Sequence, residues 1–229
     1  ETFSEFVASG QVKTEFMPVE SEHAAMSACI GATAAGARTQ TATSGPGLAL
    51  MWETLWIASG NRLPIVMHLT TRAFSAPVNI LCDHSDAMGM REAGWVMLFA
   101  EGAQEAYDNG IMAVRIAEHP DVLLPMANVL DGFIVTHTVE RAEMLPDNVV
   151  AKFVGVYKPV HSLLRTEEPI TIGSIDFHDF YYEHKRQQVQ AMENARGVAR
   201  QVSKEYGDIS GRYYDLIDSD RMEDADVAV

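Results

Sequence analysis

Glu22, Arg72 and the cluster Asp83-His84-Ser85-Asp86 are the residues whose types and settings could do chemistry in this chain. Glu22 falls in the first turn of a run, Glu20 to Gly36, made mostly of Ala, Gly, Ser and Thr. A carboxylate placed there reads first as a complement to the positive end of the helix dipole or a cap for the first amides, and only second as a catalytic group. Arg72 follows a continuous apolar run, Pro64 to Thr70. Its planar fork suits a carboxylate ligand, and the same residue also fits an ordinary loop arginine or one half of an ion pair. The Asp/His cluster suggests a metal at first sight, but in a loop that leads into a helix these residues read as caps and turn formers. Cys29 and Cys82 give neither a disulfide framework nor the spacing of a zinc or iron-sulfur site.

The elements around these residues alternate. Thr14 to Val19 reads as a short buried strand, Glu20 to Gly36 as a helix, and Arg38 to Thr43 as a β-branched strand that breaks at Ser44-Gly45-Pro46-Gly47. Leu48 to Ser59 resumes helical spacing, with Met51, Trp52, Leu55 and Trp56 predicted to form a broad core-facing surface and Gly60 to stop it. Pro64 to Thr70 has the length and continuity of a parallel strand covered on both faces. Periodicity then disappears from Thr71 to Asp86. A loop that long within a compact domain, and this rich in apolar residues, is expected to carry function.

A short helix (Asp86 to Ala93), a strand (Trp95 to Phe99), a helix (Ala103 to Glu118) and a strand (Val122 to Val129) follow, the last running into Asp131-Gly132-Phe133. Strands alternating with helices predict an α/β fold, a doubly wound parallel sheet. In such a sheet ligands sit beyond the carboxyl ends of the strands, where the Thr43–Gly47 turn and the Thr71–Asp86 loop both begin. From Glu140 to Asp179 the pattern weakens into an excursion over the surface. Tyr181 to Tyr206 reads as a long polar helix with one narrow stripe, Val189, Met192, Ala195, Val198, Ala199 and Val202. Glu1 to Gly10 reads as the end of an amphipathic helix, and Asp226 to Val229 as the entry to a further strand.

Composition narrows the partners. With 229 residues, 47% of them hydrophobic, the chain can bury a large core. A formal charge of -15 with no Lys or Arg cluster argues against nucleic acid. No window reads as a membrane span, and the two cysteines fit a reducing, cytoplasmic setting.

Several motifs in order carry a resemblance. Glu20-Ser21-Glu22-His23-Ala24-Ala25-Met26-Ser27-Ala28, Gly36-Ala37-Arg38-Thr39, Thr41-Ala42-Thr43-Ser44 and Gly47-Leu48-Ala49-Leu50-Met51 resemble the α subunit of pyruvate:ferredoxin oxidoreductase. Thr71-Arg72-Ala73-Phe74-Ser75-Ala76-Pro77-Val78-Asn79-Ile80, Asp83-His84-Ser85-Asp86, Gln104-Glu105-Ala106-Tyr107-Asp108 and Asp131-Gly132-Phe133 continue it. The resemblance is dense from Phe16 to Thr138 and looser to Tyr214.

This resemblance implies the pyrimidine domain of a thiamine diphosphate-binding fold, with the Mg²⁺-diphosphate half supplied by a partner subunit or later domain. Glu22 matches the glutamate that faces N1′ of the aminopyrimidine, which makes it both a catalytic and a cofactor-binding residue. Arg72 matches the arginine that holds the 2-oxoacid carboxylate, a catalytic and substrate-binding role. No metal ligand is implied in this chain. The implied reaction is oxidative decarboxylation of pyruvate to acetyl-CoA and CO2, with electrons leaving through iron-sulfur clusters in partner subunits to ferredoxin.

The implied division is a core over 1–138, an excursion and long helix of the same domain over 139–215, and the start of a second domain over 216–229. The family's substrate-contacting threonine would lie upstream of Glu1, so the domain reads as N-terminally incomplete and inactive alone. A related enzyme for oxalate or a branched 2-oxoacid, a non-catalytic docking subunit, and a pyrimidine domain from a transketolase-like enzyme remain the alternatives.

Overall fold

The computed structural model describes residues 2–219, 222, 223, 225 and 227. Among them, β1 (Gln40–Ser44), β2 (Val66–Thr71), β3 (Val96–Ala100) and β4 (Met126–Asp131) form one parallel sheet in the order β1-β2-β4-β3. The chain therefore steps from β1 to β2, passes over one position to β3, and turns back to β4. Helices cover both faces. The first face carries α2 (Glu22–Ala34), α3 (Gly45–Leu50), α4 (Trp52–Gly60), α5 (Ser85–Gly89) and a 3₁₀ turn (Met90–Ala93), whose Met26, Leu48, Met51, Leu55 and Met90 pack with Met67, Leu69 and Val129. α6 (Ala103–Ala117), α8 (Asp147–Val154) and α9 (Tyr181–Ser210) cover the other face, where Met112, Ile116, Phe153 and Val202 meet Val66 and Met126. The covering face switches as the chain reverses direction, which is what right-handed crossovers require. The remaining helices are α1 (Thr2–Ala8) and α7 (Ile134–His137).

The helix that opens on Glu22 forms for local reasons. The Ser21 hydroxyl accepts a hydrogen bond from the Ala24 amide at 3.2 Å, and Glu22 supplies the acid of the first turn. Its small residues allow α2 to lie against β1 and α4, with Met26 fully buried between them.

Four sequence expectations change. Thr14 to Val19 is not a buried strand: no described strand runs beside it, Met17 is 69% exposed, and Phe16 packs edge-on against Phe3 of α1. The predicted helix from Leu48 breaks at Met51, and in α4 the positions Met51, Leu55 and Ala58 take the core face. Trp52 and Trp56, one step around the helix, are thereby turned outward and are 38% and 40% exposed. β4 starts at Met126, not Val122, because Val122 and Leu123 donate their amides to the His119 carbonyl in a buried turn and Pro125 has no amide to give a ladder. On α9 the buried stripe begins at Ala191, leaves Val189 exposed, and reaches Tyr206. Trp95 is core as expected, donating its indole N–H to the Leu55 carbonyl at 3.0 Å.

The strand expected from Asp226 to Val229 falls largely outside the described residues, since Asp226, Ala228 and Val229 are not among them. The same holds for Glu1 of the first helix.

Candidate functional site

β1 and β2 are neighbours in register, Ser44 opposite Thr70, so the chain leaves both strands at the same edge of the sheet. β1 runs directly into α3 through Gly45-Pro46-Gly47, and β2 runs into Arg72. Glu22 arrives from the first turn of α2, which packs on α3.

These three approaches converge. Gly45 has φ +42, a left-handed backbone, and a Cβ there would lie 2.9 Å from Arg72 Nε and 3.1 Å from its Cζ. The Arg72 guanidinium therefore rests directly against the Gly45 backbone. Two residues on, a Cβ at Gly47 would lie 2.5 Å from Thr43 Oγ1 and 2.9 Å from Glu22 Oε1. Arg72 thus lies against Gly45 and Glu22 against Gly47 of one short turn, and glycine is what lets both come so close to it.

Neither side chain is used up by the fold. Among the described residues, the Glu22 carboxylate and the Arg72 guanidinium have no hydrogen bond or ion pair, although both residues are half-buried. Thr43 Oγ1, beside Glu22, is buried without a hydrogen-bond partner among the described residues. An uncommitted acid beside Gly47 and an uncommitted guanidinium beside Gly45 leave one carboxylate and one carboxylate-binding fork able to take polar partners.

Asp86 belongs to this arrangement and was not singled out by sequence reasoning, which grouped it with caps and turns. It is fully buried, and its Oδ2 accepts hydrogen bonds from the Gly45 amide and the Arg72 amide, each at 3.1 Å. Its Oδ1 accepts from the Ala87 amide at 2.7 Å. Burial pushes the Asp86 carboxyl above its ordinary value, opposed by the amides of Arg72, Ala87 and Gly45. The rest of the cluster behaves locally. Asp83 Oδ1 accepts from the Ser85 amide at 2.7 Å, and His84 packs edge-on against Phe99 and lies 3.8 Å from Asp131. No group of three or more His, Cys, Asp or Glu among the described residues is arranged to hold a metal ion.

The Thr71–Asp86 loop is held where it leaves and re-enters the site. Gly132, just after β4, admits it: a Cβ there would run into the Thr71 carbonyl oxygen and lie 3.0 Å from that of Ile80. The loop closes on itself through the Ala73 amide and the Asn79 carbonyl at 3.1 Å.

A parallel α/β sheet with two loops meeting beyond its strand ends is the doubly wound arrangement, in which ligand sites generally lie at that edge. The particular family follows from the sequence as a whole. The profile described as pyruvate flavodoxin/ferredoxin oxidoreductase, thiamine diphosphate-binding, matches residues 1–204, and the chain belongs to that family.

Among curated proteins, the chain is 57% identical over 226 residues to pyruvate synthase subunit PorA of Thermotoga maritima, covering 99% of this chain and 58% of that one. It is 48% identical over 231 residues to pyruvate synthase subunit PorA of Methanocaldococcus jannaschii, covering 100% of this chain and 59% of that one. The chain therefore spans a little under three-fifths of the length of these relatives. Its fold is shared with a solved 2-oxoglutarate:ferredoxin oxidoreductase from Magnetococcus marinus, determined with 2-oxoglutarate, coenzyme A and succinyl-CoA bound. The TM-score is 0.61 at 18% identity, over 84% of this chain and 39% of that one.

Proposed function

We propose that this chain is the pyrimidine-binding part of the α subunit of a thiamine diphosphate-dependent 2-oxoacid:ferredoxin oxidoreductase that acts on pyruvate. The observation that carries this reading is the placement of Arg72 against Gly45 and of Glu22 against Gly47, in one short turn of a chain that belongs to this family. The identities of 57% and 48% to subunits named pyruvate synthase favour pyruvate over oxalate or a branched 2-oxoacid, and they favour an enzyme over a docking subunit.

The residues fit the group. Glu22 offers a carboxylate that is unpaired among the described residues and lies beside Gly47, suited to a hydrogen bond with a ring nitrogen of an aminopyrimidine. When bound, thiamine diphosphate supplies a nucleophilic carbon and an electron sink for decarboxylation. Glu22 holds or shares the proton at that ring nitrogen, and its half-buried place strengthens the exchange relative to open water. Arg72 binds the substrate carboxylate through its fork and orients the neighbouring carbonyl.

The balanced reaction takes pyruvate, coenzyme A and two oxidised ferredoxins to acetyl-CoA, CO2, two reduced ferredoxins and a proton. Partner subunits carry the Mg²⁺-diphosphate half of the site and the iron-sulfur clusters. Residues 1–138 form the binding core, 139–215 its excursion and long helix, and 216–229 the start of a second domain. The working compartment is the cytoplasm. In support, no helix among the described residues is long and apolar enough to cross a membrane, and both cysteines are free thiols.

The test is a panel of 2-oxoacids offered to the assembled complex with coenzyme A and a viologen acceptor. Pyruvate is expected to give the highest kcat/KM by about tenfold or more over 2-oxoisovalerate, a margin that pocket shape alone can supply. A preference for oxalate or a branched acid would overturn the substrate, and a complex inactive on every member would overturn the enzyme reading.

A further inference from the structure

We propose that Asp86 is a positioning residue that sets the Arg72 fork for the substrate carboxylate; this rests on the reading of Arg72 given above. One fully buried carboxylate oxygen accepts two backbone amides, and those amides are not a random pair. One belongs to Gly45, the residue against which the Arg72 guanidinium rests, and the other to Arg72 itself. Oδ2 of Asp86 therefore fixes both the base of the fork and the surface it lies on.

The approach is close. A Cβ at Gly45 would stand 2.9 to 3.1 Å from the Arg72 Nε, Cγ and Cζ, so the guanidinium lies beside this glycine, and the relative placement of the two backbones sets where the fork sits. Asp86 lies 14 residues beyond Arg72 and 41 beyond Gly45, at the far end of the loop that begins at Arg72. One side chain thus closes that loop and ties it to the exit of β1. A carboxylate buried among backbone amides, with no cation bonded to it among the described residues, is costly unless the geometry it enforces is needed. Burial does push this carboxyl up, against the opposing pull of the same amides. Charged acceptors make the stronger amide bonds, which suits a strut more than a neutral side chain would.

The experiment is a double-mutant cycle in the assembled oxidoreductase, with pyruvate varied at saturating coenzyme A and viologen. Asp86→Ala is expected to raise KM for pyruvate by about tenfold or more with kcat within about threefold and KM for coenzyme A unchanged, because the fork acts on the bound substrate's carboxylate, before that charge is lost as CO2 departs. In an Arg72→Ala background the same change is expected to add less than about twofold, since the residue it positions is gone.

Asp86→Asn keeps an acceptor oxygen but loses the charge, and is expected to raise KM about three- to fivefold. If Asp86→Ala does not assemble, the Asn variant alone decides the matter through the same cycle. A wild-type KM in Asp86→Asn and Asp86→Ala, or an effect that persists in full beside Arg72→Ala, overturns the proposal in favour of a general structural role. Arg72→Ala with an unaltered KM for pyruvate overturns the carboxylate role of Arg72 and the inference with it. That outcome is distinct, because a failure of Asp86 alone leaves the Arg72 effect intact.

Discussion

Glu22 and Arg72 are separated by 50 residues of chain, and what joins them is a turn with two glycines. At Gly47 the joining is most exposed to test. A methyl group there would press on Thr43 Oγ1 at 2.5 Å and on Glu22 Oε1 at 2.9 Å, so one of the two must move. Gly47→Ala is therefore expected to cut kcat/KM of the assembled complex by about ten- to a hundredfold, the usual consequence of misplacing a reacting group by about an ångström. Helix α3 itself should tolerate the change, because alanine is the better helix former. Steady-state rates with pyruvate measure this, and an unchanged kcat/KM would contradict the placement of Glu22 against the turn. The place of Glu22 at the head of a capped, small-residue run is legible in the sequence, but by position alone it reads as a dipole or capping carboxylate, and only the family resemblance points to a role with a cofactor. Asp86 is not legible there: its partners are 14 and 41 residues away, and only the folded sheet brings Gly45 and Arg72 to it.

Among the elements, the long helix α9 shows how the face away from the site is fastened. Its buried stripe lies on α6, and just beyond its end the chain folds back so that Arg212 and Tyr214 reach the buried Asp108 of α6. Arg212 Nε and Nη2 donate to the two carboxylate oxygens at 2.6 and 2.8 Å, Tyr214 donates at 2.6 Å, and Tyr206 donates its hydroxyl as well. Burial pushes the Asp108 carboxyl up, but these donors and the guanidinium charge together hold it below the usual carboxylate range.

A depressed carboxyl value contributes stability that is complete above the unfolded value, about pH 4, and is lost as pH falls through the lower folded value. Asp108→Asn removes that contribution and leaves Arg212 without its partner, at an expected cost of about 3 kcal/mol. Urea unfolding at pH 7 and at pH 3 checks both points: the loss should be large at pH 7 and smaller at pH 3. A midpoint unaffected by the substitution at pH 7 would contradict the latch. None of this cluster was readable as such. Asp108 lies in a recognisable motif, but its partners are Tyr206, at the last position of the predicted helix, and Arg212 and Tyr214 beyond it, where periodicity says nothing of how the chain folds back. The misread elements have similar causes. Trp52 and Trp56 were assigned to the core on spacing that ignored a break at Met51, and Thr14 to Val19 looked like a strand with no described neighbour to complete it.

For the molecule as a whole, the alternation of apolar runs and glycine turns was enough to give a parallel α/β sheet, because that pattern is set by local chemistry and burial. The order β1-β2-β4-β3 needed the structure, since periodicity does not say which strands are neighbours. The site gathers where that fold gathers ligands, at the strand ends, on the face where α2 and α3 meet. Its acid and arginine, unpaired among the described residues, belong to a chain spanning a little under three-fifths of the length of its curated relatives.

The central claim is that Glu22 activates a cofactor held jointly with those partners. Its most direct test is Glu22→Gln in the assembled complex, with pyruvate-dependent viologen reduction read beside subunit composition by size-exclusion chromatography. The glutamine keeps the shape but cannot take or share the proton. Assembly is expected to persist while kcat falls by about a hundredfold or more. Full turnover in that variant would contradict the claim and leave the chain as a scaffold for the other subunits.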